Sequence, residues 1–272
     1  MNIANKSVLI TGANRGIGRA LVDEALRRGA KQVYAAARSP FQHADKRVTP
    51  LVLDVTDTAQ IARAAGAVEN LDVLINNAGI AIYDDLSHPE VIEQHMAVNV
   101  FGTLKVTRAF LPQLVRAKGA IVNNLSLAAI ASLPMIPAYS ISKAAGSNMT
   151  QSLRTLLKSQ GVTVHGVFLG PIDTDMNRGL EIPKAPPAAA AQGIFDGLEK
   201  GEEDIFPDPA SLPAAEGWRA GITKGLEREF GGLRAASRGL THPVTATRTG
   251  VIDDHPKLHH DLLGRPNAET GF

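Results

Sequence analysis

Apolar and polar residues run along the first two-thirds of the chain in two rhythms. Short, β-branched apolar runs read as buried strands: Ser7–Thr11, Gln32–Ala37, Val48–Leu53, Leu71–Ile75, Ala120–Asn124 and Val162–Leu169. Between them apolar residues recur at helical spacing. In Gly16–Arg28 these are Ile17, Ala20, Leu21, Ala25 and Leu26, and Gly29 follows as a stop. Further helices are expected near Asp57–Ala65, Pro89–Lys118 and Tyr139–Gln160. Alternating strands and helices predict an α/β fold: a parallel sheet with right-handed crossovers and helices on both faces. Such sheets bind ligands beyond the carboxyl ends of their strands, which is where chemistry is to be sought.

After Thr174 the pattern loosens. Lys184–Ala191 is rich in Pro and Ala and leads into a helix through Leu198. Asp204–Phe206 reads as a short last strand and Ala214–Phe230 as one further helix. The reading is thus one domain over 1–231, with 175–200 as a less regular loop and helix region within it. From Gly232 to the end no period is evident, and 232–272 is expected to be a loosely packed tail. No internal repeat is found.

Composition narrows the classes. The chain has 272 residues with 28 Lys plus Arg against 27 Asp plus Glu, so its net charge of +1 offers no general attraction to nucleic acid or anionic membrane. It has no cysteine, which excludes disulfide scaffolds, thiolate metal sites and cysteine nucleophiles. No apolar run is long enough for a membrane span, and the first residues lack a signal-peptide core, so a cytoplasmic location is expected. His255 and His259 have helical spacing, with His260 beside them, but no carboxylate accompanies them in a ligand pattern. They and His242 read as a solvated tail, and no metal is expected.

The candidate chemistry begins at Thr11-Gly12-Ala13-Asn14-Arg15-Gly16-Ile17-Gly18, between a strand and a helix. Glycines let a phosphate approach the backbone, and a helix N-terminus offers free N–H groups and partial positive charge. Arg38 lies twenty residues past Gly18, at the end of the second strand, where no carboxylate occurs. Its guanidinium and that of Arg15 suit a 2′-phosphate; alternatively Arg38 is a solvated strand-end charge. Asp54-Val55 closes the third strand, where Asp54 is also placed to cap the next helix. Asn76-Asn77-Ala78-Gly79 follows the fourth strand. Tyr139 and Lys143 are four residues apart and share a helix face, a spacing that also arises by chance. Ser126 precedes Tyr139 by thirteen residues, and Asn99 precedes Ser126 by twenty-seven.

The glycine spacing, the Asn-Asn-Ala-Gly sequence and the Asn–Ser–Tyr–Lys spacing together resemble the classical short-chain dehydrogenase/reductase family, over about residues 5–232. The resemblance implies a Rossmann-type doubly wound sheet in the order 3-2-1-4-5-6-7. It implies a hydride exchange between NADP(H), preferred here over NAD(H), and a carbonyl or alcohol substrate. By resemblance Tyr139 is the general acid or base and Ser126 stabilises the substrate oxygen. Lys143 lowers the tyrosine pKa and binds ribose, and Asn99 kinks its helix and holds a proton-relaying water. Gly12, Asn14, Arg15, Gly16, Ile17, Gly18, Arg38, Asp54, Val55, Asn77, Ala78, Gly79, Pro171, Ile172 and Thr174 would complete the cofactor site. Asp54 would meet the adenine, and by the same resemblance 175–200 would be the substrate-binding region.

The family usually has Pro-Gly where this chain has Leu169-Gly170 before Pro171. Ile80, Ile82, Leu127, Ile130, Leu133, Met176 and Leu180 are candidates for an apolar substrate pocket or for plain core. Asp84-Asp85 reads as a solvated loop. Pairing through the two long helices into a homodimer or homotetramer is expected. Two other readings stand beside this one: an NAD-linked alcohol dehydrogenase of the same fold, and a dinucleotide-sensing module without catalysis.

Overall fold

The computed structural model describes residues 1–236. The expected alternation is present. In chain order β1 is Ser7–Thr11, α1 Gly16–Arg27, β2 Gln32–Ala37, β3 Val48–Val52, α2 Thr58–Ala67 and β4 Val73–Asn76. Next come α3 Pro89–His95, a π-helical stretch over Met96–Gly102, α4 Thr103–Ala117, β5 Ala120–Asn124 and α5 Pro137–Leu157. Then follow β6 Thr163–Val167, α6 Pro187–Lys200, β7 Asp204–Ile205, α7 Leu212–Ala220 and α8 Ile222–Ala236. All seven strands pair in parallel in the order β3-β2-β1-β4-β5-β6-β7.

The strand sequences explain the layering. Along β1, Val8 and Ile10 enter the core on the α1 and α6 side, while Leu9 enters the core on the α2, α4 and α5 side. Both faces of the central strands are buried, so these strands read as continuous apolar runs rather than alternating ones. β3 lies at the edge, and its burial is patchy, with Val52 exposed. The reversal of strand order falls between β1 and β4, so the carboxyl ends of these two strands open the crevice that holds the site.

One expectation needs correction. Ala214–Phe230 is not one helix: Gly221 takes an extended conformation (φ −73°, ψ 160°) and separates α7 from α8. α8 runs to Ala236, the last residue described. His242, His255, His259 and His260 lie outside the described residues.

The end of the sheet is locked by buried charges. Lys224 on α8 donates to Glu203, Asp204 and Glu227, each at 2.8 Å. Arg154 on α5 pairs with Asp204 at 2.8 Å and with Glu227, and the Trp218 indole donates to Asp204 at 2.9 Å. Burial alone would raise the Asp204 pKa, but Arg154 and Lys224 outweigh it and hold the carboxyl below its ordinary value of 3.8. Removing one member leaves a buried charge without its counterpart. Lys224→Met is expected to lower the unfolding free energy by about 3 kcal/mol in urea titrations. Because the Asp204 pKa is depressed, the stability it lends is complete above about pH 4 and fades as the pH falls further. The same titrations at acid pH should show the variant and the native chain converging.

Candidate active site

The site starts where β1 runs into α1. Gly12 (φ +66°) and Gly16 (φ +53°) turn the chain through the left-handed region that favours glycine. In the first turn of α1, a Cβ at Gly18 would lie 1.9 Å from the Gly12 carbonyl oxygen, so only glycine lets the helix press onto the turn. Arg15, the N-cap of α1, makes no side-chain capping bond. The leading N–H groups of the helix therefore face the mouth of the turn, the arrangement that receives a phosphate. Asn14 and Arg15 are exposed there, while Ile17 packs against the core behind. This cradle fits the pyrophosphate of a dinucleotide.

Hydrogen bonds stitch the fourth strand's exit to this turn. The Thr11 hydroxyl accepts the N–H groups of Asn77 and Ala78, both at 3.0 Å. The Asn77 amide donates to the carbonyls of Thr11 (2.9 Å) and Gly12 (3.3 Å). Asn124, at the end of β5, donates to Asn77 Oδ1 at 2.8 Å. On the far side, Thr174 closes over the turn: a Cβ on Gly16 would meet its Cγ2 at 3.2 Å. Ile172 is buried and bridges to Ala185, whose N–H is accepted by the Pro171 carbonyl.

The four residues of the spacing pattern come together beside Gly79. Asn99 sits in the π-helical stretch. Its Oδ1 accepts from Ile80 N–H (2.9 Å), and its Nδ2 donates to the Ile80 carbonyl (3.0 Å) and to Ser142 Oγ (2.9 Å). Lys143 is buried and donates to the Asn124 carbonyl at 2.7 Å. Gly79 leaves room for both: a Cβ there would lie 3.1 Å from Asn99 Oδ1 and 3.8 Å from Lys143 Nζ. The Lys143 ammonium stands 5.5 Å from the centre of the Tyr139 ring. Burial pushes the Tyr139 phenol up to about 12, with the hydrogen bond from Ser126 pulling the other way. Burial pulls Lys143 down to about 8. Ser126 also accepts from Ala128 N–H at 3.1 Å, which fixes its hydroxyl at the start of a short helical turn.

Arg38, Asp54 and Val55 belong to the other end of the crevice, at the exits of β2 and β3. Arg38 is exposed and makes no ion pair among the described residues. Asp54 is not the cap of α2. Asp57 takes that role, accepting from Ala59 and Gln60 N–H, and Asp54 instead accepts from Thr56 N–H and hydroxyl. Val55 is buried where Gly102 approaches: a Cβ on Gly102 would strike Val55 Cγ2 at 2.7 Å. Arg15 meets Asp175 at 3.5 Å on the surface.

Two residues of the site carry no sequence signal. Asp84, expected in a solvated loop, accepts from Ala138 N–H at 3.2 Å and so caps α5 one residue before Tyr139. A cap supplied from 54 residues away has no local pattern. His95 is completely buried and meets the Tyr139 ring edge-on. In the sequence it is one histidine among eight.

A doubly wound parallel sheet with a glycine cradle at its switch point is the architecture of dinucleotide-binding α/β proteins. The chain belongs to the short chain dehydrogenase family, whose sequence model matches residues 6–184. It is 32% identical over 221 residues to estradiol 17-beta-dehydrogenase 2 of Mus musculus, covering 75% of this chain and 55% of the mouse protein. The chain thus spans about half the length of that relative. A crystal structure of a short chain dehydrogenase from Burkholderia cenocepacia in complex with NADP superposes with a TM-score of 0.76 at 38% identity. That match covers 81% of this chain and 95% of the other. NADPH-bound carbonyl reductase from chicken fatty liver gives 0.67 at 27% identity, covering 75% and 100%. No helix among the described residues is long and apolar enough to cross a membrane.

Proposed function

We propose that the protein reduces a ketone or aldehyde with NADPH, and that Tyr139 delivers the proton. The observation that carries this reading is the convergence of Tyr139, Ser126, Lys143 and Asn99 beside Gly79, next to the glycine cradle. The bound dinucleotide supplies the hydride. Tyr139 keeps its proton at neutral pH, as an acid must before transfer, and donates it from the phenol to the substrate oxygen. Ser126 donates a hydrogen bond to the same oxygen as negative charge gathers on it. Lys143 offers its ammonium to ribose hydroxyls and, once charged beside the phenol, lowers the cost of the phenolate left by transfer. Asn99 holds Ile80 and Ser142, which keeps its helix open for a water that returns the proton.

Arg38 supports the choice of NADP, since an exposed guanidinium follows the second strand where a carboxylate would repel a 2′-phosphate. Arg15 is a second cation; its surface pair with Asp175 is weak enough to yield to a phosphate. NADP and NADPH in two similar structures agree with this choice. Leu133 and Met135, shortly before Tyr139 in the chain, are exposed, and Leu133 N–H donates to Ser140 Oγ, so they would give the crevice an apolar rim that favours a substrate with an apolar body.

Three measurements test the reading, each following NADPH absorbance with a homologous series of methyl ketones. Tyr139→Phe should reduce kcat by about a thousandfold, and a variant within tenfold of the native rate would remove the assigned role. kcat/KM should rise roughly fourfold per added methylene until the rim is covered, from about 0.8 kcal/mol per buried CH2. NADPH binding without turnover on any ketone would favour the sensing module instead. Arg38→Asp should move the NADPH-to-NADH preference by at least about tenfold toward NADH. An unchanged ratio would assign Arg38 to solvent.

A further inference from the structure

We infer that His95 is a positioning residue for the Tyr139 phenol and for the Gly79–Ile82 wall beside it. The inference rests on the proposed role of Tyr139 and adds to it a group outside the Asn–Ser–Tyr–Lys pattern. The histidine is the last residue of α3, directly before the π-helical stretch, and its side chain has no contact with solvent.

Both ring nitrogens are committed to backbone. Nε2 accepts from Ile82 N–H at 3.1 Å, so Nδ1 carries the proton and donates to the Val91 carbonyl at 2.7 Å. These two bonds fix both the tautomer and the plane of the ring. The plane so fixed meets the Tyr139 ring at 71°, with centroids 6.2 Å apart, the edge-to-face arrangement preferred by aromatic pairs.

The position along the helix gives the contact its purpose. His95 and Asn99 are four residues apart, and both reach across to the segment leaving β4. Asn99 takes the N–H and carbonyl of Ile80, and His95 takes the N–H of Ile82. Alternate residues of the wall are thereby clipped to one helix. The same segment continues to Asp84, which caps α5 at Ala138. Tyr139 is thus braced on two sides, by the capped helix that carries it and by the ring of His95. A phenol displaced by even a fraction of an ångström loses the alignment that proton transfer needs.

An amide can replace one of the imidazole's two bonds, and its length decides which. In His95→Gln the terminal amide reaches Ile82 N–H; in His95→Asn it is one methylene short. The experiment measures kcat with the longest methyl ketone that the native protein reduces, NADPH affinity by fluorescence titration, and the melting temperature of each variant. The expected result is a fall in kcat of at least about tenfold for His95→Asn, with NADPH Kd within twofold of native, and recovery to within about threefold for His95→Gln. A native kcat in His95→Asn would overturn the inference. So would equal losses in the two variants, or a rise in NADPH Kd matching the loss of kcat, which is the mark of general structural damage. Tyr139→Phe measured alongside separates the two ideas: if it stays active, the role of Tyr139 fails, and if it is inactive while both His95 variants are native, only this inference fails.

Discussion

The spacing between the phosphate cradle and the proton-transfer groups is set by a seam of hydrogen bonds. It runs from the Gly12 and Thr11 carbonyls to the Asn77 amide, from Asn77 to Asn124, and from the Asn124 carbonyl to the Lys143 ammonium. Each link crosses from one strand exit to the next, β1 to β4 to β5, and then to α5. Polar groups withdrawn from water must be paired, so none of these contacts can be traded for a looser one at low cost. A second seam lies deeper, where Asn76 bonds Thr107 and Asn123, and Asn123 bonds Thr150. Together they tie α4 and α5 to the sheet by direction as well as by apolar packing, which is non-directional.

The same burial prepares the chemistry. Desolvation favours the neutral form of every ionisable group, so it moves the phenol and the ammonium in opposite directions, Tyr139 to about 12 and Lys143 to about 8. A tyrosine at 12 is a secure proton carrier, and a lysine near 8 still holds most of its charge at neutral pH. On the proposed reading, ribose hydroxyls bonded to Lys143 would raise it again, because they restore the solvation that burial removed. Proton transfer, on that reading, would be coupled to occupation of the crevice by a feature of the protein itself. Gly79 makes this possible by leaving no side chain between Asn99 and Lys143.

How far the sequence alone leads depends on whether a feature is local. The central strands of the sheet were legible because both faces are buried, which leaves uninterrupted apolar runs, and the glycine turn because its steric demand falls on three glycines close together in the chain. The assembly of Asn99, Ser126, Tyr139 and Lys143 was legible only through family spacing, since no local rule brings together positions on three different elements. Asp84 and His95 were not legible. One acts on Ala138 through a loop and the other on Ile82 and Tyr139 across a helix, and nothing in the flanking residues marks either. The break at Gly221 was missed because apolar periodicity continues across it, whereas the backbone there is extended.

The departure at Leu169 shows how a changed residue can leave a loop intact. Leu169 is buried in the core cluster on the α1 and α6 side, and its carbonyl accepts from Leu127 N–H at 2.9 Å. The exit of β6 is thereby tied to the turn that carries Ser126. The next residue is held just as firmly: Gly170 N–H donates to Asp208 at 2.9 Å, and a Cβ there would lie 2.6 Å from the Asp208 carboxylate and 2.7 Å from Ala210. Asp208 is itself buried and accepts from Ser211 N–H and hydroxyl. A proline in place of Leu169 would restrict the backbone by its ring. Here the restriction comes from side-chain burial on one side and a carboxylate clamp on the other. Stiffness at the mouth of the crevice is thus a property of the contacts around residues 169–170, and Pro171 and Thr174 inherit their path over the glycine turn from it.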